Sequence, residues 1–239
     1  MIKRNRGVYE KYIKRILDIF CALSALILLF WLYIIIAIVV RIKMGSPILF
    51  KQPRPGLIGK DGKEKIFYMY KFRTMTNERD EHGDLLADEK RLPAFGRLLR
   101  ATSLDELPEA INILKGDMSV IGPRPQLVRD MVFMTEEQRL RHTAKPGLSG
   151  LAQIKGRNAI SWEEKLDWDL KYIDKVSFTN DILIMWRTVL KVFGGNESET
   201  ELDVTDDYGD YLLKSGRITS DEYKEKQQQA RELLRSMIK

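Results

Sequence analysis

The chain has 239 residues, with 40 Lys and Arg side chains against 34 Asp and Glu and a single cysteine, Cys21. This length fits one domain of moderate size with short additions, and one cysteine excludes an intrachain disulfide or a cysteine-based metal cluster. The mild basic excess suits anionic lipid or a phosphorylated small ligand. Because no zinc-finger spacing or aromatic RNA-binding motif is present, we expect no nucleic-acid partner.

Residues 19–40 form an uncharged, mostly apolar segment of 22 residues. As a straight helix it would be roughly 33 Å long, enough to cross the hydrocarbon core of a membrane. It is too long for a removable signal peptide and lacks a small-residue cleavage site. Six Lys and Arg lie in residues 1–15 and five lie in residues 41–60, so the positive-inside rule does not choose an orientation. A single span and a re-entrant hairpin both remain open, although the segment contains neither the proline nor the glycine expected at a hairpin break.

The next elements are two predicted strands in residues 46–56 (SPILFKQPRPG) and 63–75 (KEKIFYMYKFRTM), joined by a glycine-containing loop. Lys71 and Arg73 are two residues apart and therefore share one face of the second strand. That spacing is suited to holding two phosphate oxygens, and a solvated strand edge is the alternative reading.

Two adjacent acids, Asp105 and Glu106, stand where a helix should begin in TSLDELPEAINILKGDMSVIGPRP, residues 102–125. Pro108 fixes the predicted start of that helix close to itself. One interpretation is structural, because Ser103 and Glu106 have the spacing of a capping box. The other is chemical, because the helix N-terminus should keep a carboxylate ionised, as a nucleophile requires.

Further along, residues 145–157 (KPGLSGLAQIKGR) predict a loop and a short strand, and two helices follow, the first opened by a capping box of Ser161 and Glu164. These helices suit either a protein core or a bilayer surface. An acidic linker then leads to a predicted helical hairpin. The sequence predicts a mainly helical α+β fold with three parts: residues 1–43 as basic N-terminus and membrane helix, 44–194 as the principal domain, which contains the Asp105–Glu106 pair, and 195–239 as linker and C-terminal hairpin.

Several motifs occur together in the chain: KFRTM, TSLDELP, LKGDMSVIGPRP and RHTAKPGLSGLAQIKGRNAISW, all after a membrane segment. With these motifs the chain resembles the bacterial sugar transferases, the small monotopic phosphoglycosyl transferases. The resemblance runs from about Lys14 to about Phe193. It is greatest towards members that start glycan assembly with bacillosamine-type or similar amino sugars, notably in ERDEHGDLLADEKRLPAFG, residues 78–96.

The resemblance implies transfer of a sugar 1-phosphate from a UDP-sugar to undecaprenyl phosphate, with release of UMP. It implies that Asp105 attacks the β-phosphorus to form a covalent phosphosugar intermediate, and that Glu106 helps Asp105 hold Mg²⁺. Arg124, in the Gly-Pro-Arg-Pro turn, is implied to bind substrate phosphate. Further predicted substrate-binding residues are Lys71, Arg73, Arg100, Pro125, Gln153 and Arg157.

One departure from the family pattern concerns topology. The family's re-entrant helix is broken by a Ser-Pro pair, and Phe30 and Trp31 occupy that place here. The near-equal basic clusters, together with the resemblance, still predict a re-entrant helix. They place the catalytic domain on the cytoplasmic face of the bacterial inner membrane. Predicted partners are therefore membrane lipid, with a second copy of the chain or downstream glycosyltransferases as further candidates.

Two rival functions are separable by assay. A membrane-bound phosphodiesterase would hydrolyse the UDP-sugar without a lipid acceptor, and a non-enzymatic basic scaffold would release no UMP at all. Because the family motifs end near Phe193, the sequence also predicts that deleting residues 197–239 leaves the chemistry largely intact.

Overall fold

The computed structural model describes residues 4, 6–156, 160–194 and 206–237. Arg157 and most of the acidic linker therefore lie outside the described residues. The helices are α1 (Lys14–Leu28), α2 (Phe30–Met44), α3 (Asp88–Arg91), α4 (Ala94–Ala101), α5 (Glu109–Lys115), α6 (Val128–Met131), α7 (Glu136–Arg139), α8 (Leu151–Lys155), α9 (Trp162–Asp174), α10 (Phe178–Gly194), α11 (Tyr208–Lys214) and α12 (Ser220–Ser236). The strands are β1 (Leu49–Ile58), β2 (Glu64–Phe72), β3 (Ser119–Ile121) and β4 (Gly147–Ser149). The predicted mainly helical fold with a short antiparallel β-hairpin is confirmed.

The apolar N-terminal segment is bent. Among the described residues no single helix is long and apolar enough to cross a membrane, whereas Tyr9–Leu28 and Phe30–Met44 meet that test together, with a bend of 66° between them. Leu29 leaves the helical conformation at the bend, and the indole of Trp31 donates a hydrogen bond to the carbonyl of Leu28 over 3.1 Å. A side-chain donor thus supplies a partner for a carbonyl beside the break. The expectation that a break here needs proline or glycine is wrong.

The bend predicts that both ends of the segment lie on one side of the membrane. Gly7→Cys and Lys63→Cys, each in a Cys21→Ser background, should resist a membrane-impermeant thiol reagent in intact spheroplasts. Position 7 suits a probe because nothing lies within 4 Å of the place its Cβ would take, and Lys63 is exposed. Both cysteines should react after permeabilisation, which is the control. Labelling of position 7 alone in intact spheroplasts would mean that the helix pair spans the membrane.

The β-hairpin carries α5 on one face. Strands β1 and β2 pair antiparallel, with Leu49 opposite Phe72, as the sequence predicts. Asn112 of α5 is fully buried and bonds the backbone of β2 on both sides, donating to the carbonyl of Tyr68 over 2.7 Å and accepting from the amide of Tyr70 over 3.0 Å. A buried amide satisfied in this way fixes the register of helix against strand. This contact positions the start of α5 beside β2.

Both apolar helices, α1 and α2, pack on this unit. On α1, Ala22 joins a buried cluster with Met69 of β2 and Ile113 of α5. On α2, a second buried cluster joins the helix to β2 and α4; its members are Ile36, Val40, Met44, Phe72 and Leu99. The bent pair is therefore anchored to the elements that surround the Asp105–Glu106 pair.

Helix α10 presents apolar side chains to the surface. Its exposed apolar positions follow one another at intervals of one, three or four residues and so share one face, and Trp186 is 60% exposed. The exposed residues are Phe178, Ile182, Leu183, Trp186, Val189 and Leu190. At the start of the helix Phe178 meets Tyr9, with ring centroids 6.0 Å apart, and the Tyr9 hydroxyl donates to Asp181 over 2.8 Å. The apolar face of α10 thus begins beside the segment that leads into α1, as expected for a helix on a bilayer surface.

The C-terminal hairpin is part of the folded core. Tyr208 and Leu212 of α11 are buried in one cluster with Phe133 and with Trp162 of α9. The Tyr208 amide donates to the Asp130 carboxylate over 3.0 Å, and the Trp162 indole donates to the Asp206 carbonyl over 2.9 Å. The tail is therefore joined to α6 and α9 by both apolar and polar contacts.

Candidate active site

The Asp105–Glu106 pair lies on a 3₁₀ turn, Leu104–Glu106, just before α5. Pro108 stands at the N-cap of α5, as the sequence predicts. The predicted capping box is wrong: Ser103 adopts a left-handed conformation, with φ of 54°, and its side chain makes no capping hydrogen bond. Glu106 instead turns its carboxylate towards cations, so the structural interpretation of the pair does not hold.

Two cations bind the same oxygen of Glu106. The Lys71 ammonium of β2 is 2.6 Å from Oε1, and the Arg124 guanidinium of the Gly-Pro-Arg-Pro turn is 2.8 Å from it. Lys71 also lies 4.0 Å from Oδ2 of Asp105. The site thus gathers Lys71, Asp105, Glu106 and Arg124 as the sequence predicts. Arg124 remains 43% exposed on its side chain, so it is open to a ligand from outside.

A third carboxylate, Glu109, completes the cluster and was not predicted. It is buried at the first position of α5, and its Oε1 is 3.6 Å from the Lys71 ammonium. The signal was present in the sequence, because residues three apart share a helix face and Glu109 follows Glu106 by three. One ammonium is therefore surrounded by three carboxylates.

The environment separates the pKa values of these acids. Burial raises the pKa of Asp105 to about 6, against the attraction of Lys71. Burial and the neighbouring Glu106 raise the pKa of Glu109 well above its usual range. For Glu106, burial acts to raise the pKa, but Arg124 and Lys71 outweigh it and hold the value far below normal. With a pKa of about 6, Asp105 is still mostly ionised at neutral pH, as the sequence analysis expects of a nucleophile.

The turn that carries Arg124 is held by two other arginines, neither of which was predicted. Arg54 of β1 donates to the carbonyl of Pro125 over 3.1 Å, and Arg141 donates to the carbonyl of Arg124. Arg141 is 1% exposed and bonds Asp169 of α9 over 2.9 Å through Nε. The backbone carbonyl of Pro125 is therefore already bound by Arg54. Together the two arginines fix the turn through charged hydrogen bonds within the protein.

Two of the remaining predicted residues hydrogen-bond backbone carbonyls rather than the acid pair. Arg73 is buried, and its guanidinium bonds the carbonyls of Met75 and Ser46, each over 2.8 Å, so it does not share a phosphate-facing surface with Lys71. Gln153 of α8 donates to the carbonyl of Leu148 over 3.1 Å. The predicted contribution of Arg157 lies outside the described residues.

Arg100 of α4 does approach the site. Gly96 lets α4 lie directly against the end of β2, since a Cβ at this position would stand 2.0 Å from the carbonyl oxygen of Thr74. Arg100 then donates to the Thr74 hydroxyl over 3.0 Å and is close enough to act electrostatically on Asp105.

The bent apolar pair reaches the site directly. Tyr33 of α2 donates a 2.6 Å hydrogen bond to the carbonyl of Leu107, the residue that follows Glu106. The catalytic turn is therefore connected by one hydrogen bond to the bent apolar pair.

The carboxylate oxygens of Asp105 and Glu106 suit a magnesium ion only if a bound ligand supplies further oxygen atoms. Within the described residues no group of three or more His, Cys, Asp or Glu side chains is arranged to hold a metal by itself. The hydrogen bonds to Glu106 fall on Oε1, which leaves Oε2 and the Asp105 carboxylate as hard oxygen donors. Because Mg²⁺ is commonly bound by one or two carboxylates plus phosphate oxygens of a substrate, these residues fit it.

Comparison with known proteins identifies the family of the chain. A family model described as bacterial sugar transferase matches residues 9–195. The chain belongs to the bacterial sugar transferase family. It is 51% identical over 180 residues to an uncharacterized sugar transferase of Bacillus subtilis, covering 75% of this chain and 87% of that protein. The residues that the family model matches include Lys71, Asp105, Glu106 and Arg124, and they exclude α11 and α12.

Two further relatives carry functional names. A UDP-glucose:undecaprenyl-phosphate glucose-1-phosphate transferase of Xanthomonas campestris pv. campestris is 35% identical over 202 residues, or 80% of this chain and 40% of that protein. A UDP-N-acetylgalactosamine-undecaprenyl-phosphate N-acetylgalactosaminephosphotransferase of Aeromonas hydrophila is 33% identical over 195 residues, or 77% and 44%. The chain thus spans less than half the length of these two relatives.

Proposed function

We propose that this chain is a phosphoglycosyl transferase that moves a sugar 1-phosphate from a UDP-sugar to undecaprenyl phosphate and releases UMP. The observation that carries the proposal is the cluster of Asp105, Glu106, Lys71 and Arg124, joined to the bent apolar helices through Tyr33. A soluble diphosphate substrate and a lipid-borne acceptor need such a site at a membrane surface. The names of the relatives support the same pair of substrates.

In the first step a carboxylate oxygen of Asp105 attacks the β-phosphorus, which bears the sugar. The bond from that phosphorus to the bridging oxygen breaks, and UMP leaves with the electron pair. A carboxylate and one phosphate charge 4 Å apart repel by about 4 kcal/mol at an effective dielectric near 20. Lys71 and Arg124 lie where they can offset this repulsion as negative charge moves onto the leaving group.

In the second step a phosphate oxygen of undecaprenyl phosphate attacks the same phosphorus. The bond between phosphorus and the Asp105 oxygen breaks, which restores the carboxylate and yields undecaprenyl diphosphate sugar. Membrane placement supports this step, because the exposed apolar faces of the bent pair and of α10 suit a lipid environment. We place the catalytic domain on the cytoplasmic face of the bacterial inner membrane.

Asp105 and Glu106 would hold Mg²⁺ together with diphosphate oxygens. The ion would supply neutralisation of charge on those oxygens. Glu106 is suited to such binding because Lys71 and Arg124 hold its pKa low and keep it anionic.

For the transferred sugar we propose an N-acetylated amino sugar. Support comes from the resemblance in residues 78–96 and from the relative named for N-acetylgalactosamine. Because another relative is named for glucose, the choice needs a direct assay.

Release of UMP from a panel of UDP-sugars tests the proposal. The purified chain should release UMP with Mg²⁺ and undecaprenyl phosphate, and faster from UDP-N-acetylglucosamine or UDP-N-acetylgalactosamine than from UDP-glucose or UDP-galactose. If the rate of UMP release were the same with and without undecaprenyl phosphate, the chain would be a phosphodiesterase. Absence of UMP under all conditions would identify a scaffold.

A further inference from the structure

A small cavity separate from the carboxylate cluster lies where α1 begins. Its volume is about 50 Å³, and it is lined by side chains from the N-terminal segment, from α1 and from the loop before β4. Its four basic lining residues are Arg6, Lys14, Arg15 and Lys145, and its two acids are Glu10 and Asp18. The cavity therefore carries an excess of positive charge.

The acids of the cavity are engaged with other partners. Oδ1 of Asp18 accepts hydrogen bonds from the Ser119 hydroxyl and the Val120 amide, each over 2.9 Å. Glu10 forms ion pairs with Arg4, outside the lining residues, and with Arg6, one of them, over 3.9 Å. Asp18 attracts Lys145 electrostatically, but among the described residues Lys145 forms neither an ion pair nor a hydrogen bond.

Two cations face one small space. Arg15 binds the carbonyls of Ile113 and Leu114 at the end of α5, so its charge meets no carboxylate there. Its Nη2 lies 3.5 Å, and the Lys145 ammonium 3.6 Å, from the place a Cβ of Gly116 would take. Partial burial lowers the pKa of Lys145, and the neighbouring Arg15 lowers it further. Such crowded cations gain stability when an anion lies between or beside them.

The position of the cavity along α1 indicates where that anion comes from. Ile16, the residue after Arg15, is 67% exposed, and Phe20 one turn later is 68% exposed, so the lipid-facing side of α1 starts directly beside the cavity. With a rise of about 1.5 Å per residue, Arg15 lies at the level of lipid head groups when Phe20 lies among acyl chains.

We propose that this cavity binds a phosphate group, supplied by the head group of an anionic phospholipid, through Lys145, Arg15 and Arg6. The site is distinct from the transfer site, and its test measures binding rather than turnover. Failure of the proposed transferase activity would therefore leave it unaffected.

The test uses the full chain in detergent and native mass spectrometry with phosphatidylglycerol as the probe. Lys145→Gln removes the cation that forms no ion pair or hydrogen bond within the described part of the chain. It should weaken retention of one phosphatidylglycerol by about tenfold or more, whereas Lys145→Arg should retain it. The matched control is Lys115→Gln, which removes an equal charge from the same end of α5 outside the cavity. Arg6→Gln provides a second variant among the lining cations.

The outcomes separate the sources of phosphate. Stronger retention of phosphatidylglycerol than of phosphatidylcholine, with no competition from inorganic phosphate, supports the lipid. Equal competition by inorganic phosphate supports the phosphate site and overturns the lipid as its source. Equal weakening by Lys145→Gln and Lys115→Gln, or no weakening by Lys145→Gln and Arg6→Gln, overturns the site.

Discussion

Asp105→Asn is expected to lower the rate of UMP release by at least about 1,000-fold, even when no lipid acceptor is present. The amide keeps the size of the side chain but cannot act as the anionic nucleophile, so the first bond to phosphorus does not form. Wild type mixed with UDP-sugar and Mg²⁺ alone should gain the mass of one sugar phosphate on the peptide that contains Asp105. Rapid acid quenching followed by peptide mass spectrometry makes both measurements on the same samples.

Two comparisons sharpen this result. Glu106→Gln should retain the adduct but raise the Mg²⁺ concentration needed by about tenfold or more, because it removes charge from a metal ligand. Asp167→Asn, an exposed carboxylate of α9, is the matched control and should behave as wild type. If wild type forms UMP only with undecaprenyl phosphate and never carries an adduct, the lipid attacks directly and Asp105 is not the nucleophile.

Removal of residues 206–239 is expected to destabilise the whole catalytic domain, contrary to the sequence-based prediction for tail deletion. The truncation would expose Phe133, Met131 and Trp162, which now pack against Tyr208 and Leu212. Tyr208→Ala alone should lower the free energy of unfolding by about 3–5 kcal/mol, the usual cost of deleting a large buried aromatic side chain. Thermal unfolding in detergent, measured beside UMP release, would show both properties falling together.

An exposed position on the same hairpin provides the control. Lys224→Ala on α12 should leave the unfolding midpoint unchanged, because Lys224 is exposed and its one ion pair, with Asp221, is also exposed. A truncated chain with the wild-type midpoint and wild-type UMP release would show that the tail is dispensable after all.

Local sequence signals predicted much of this architecture. Pro108 marked the start of α5 because its ring suits the first helical turn, and the Ser161–Glu164 capping box formed at α9 as its spacing indicated. The glycine-containing loop between two strand-like runs was equally informative for the hairpin of β1 and β2. These signals depend on contacts within a few residues, so they survive without knowledge of the fold.

Distant contacts explain the failures. Ser103 and Glu106 had the spacing of a capping box, but Lys71 and Arg124, distant in sequence, provide stronger partners for the Glu106 carboxylate. The break at Leu29 is a different case, because the Trp31 indole bonds the neighbouring Leu28 carbonyl, a local contact at a place with neither proline nor glycine. Arg54 and Arg141 went unnoticed because their role depends on a turn that only the fold brings to them.

The hydrogen bonds that fix the backbone of Arg124 have a consequence for genetics. Arg141 donates to the carbonyl of Arg124, and Arg141 itself forms a buried ion pair with Asp169. Loss of either partner leaves an uncompensated buried charge, which costs about 3–5 kcal/mol. A collection of inactive alleles gathered without regard to position should therefore include Asp169 substitutions, and a reader of that collection would mistake a residue of α9 for part of the sugar nucleotide pocket.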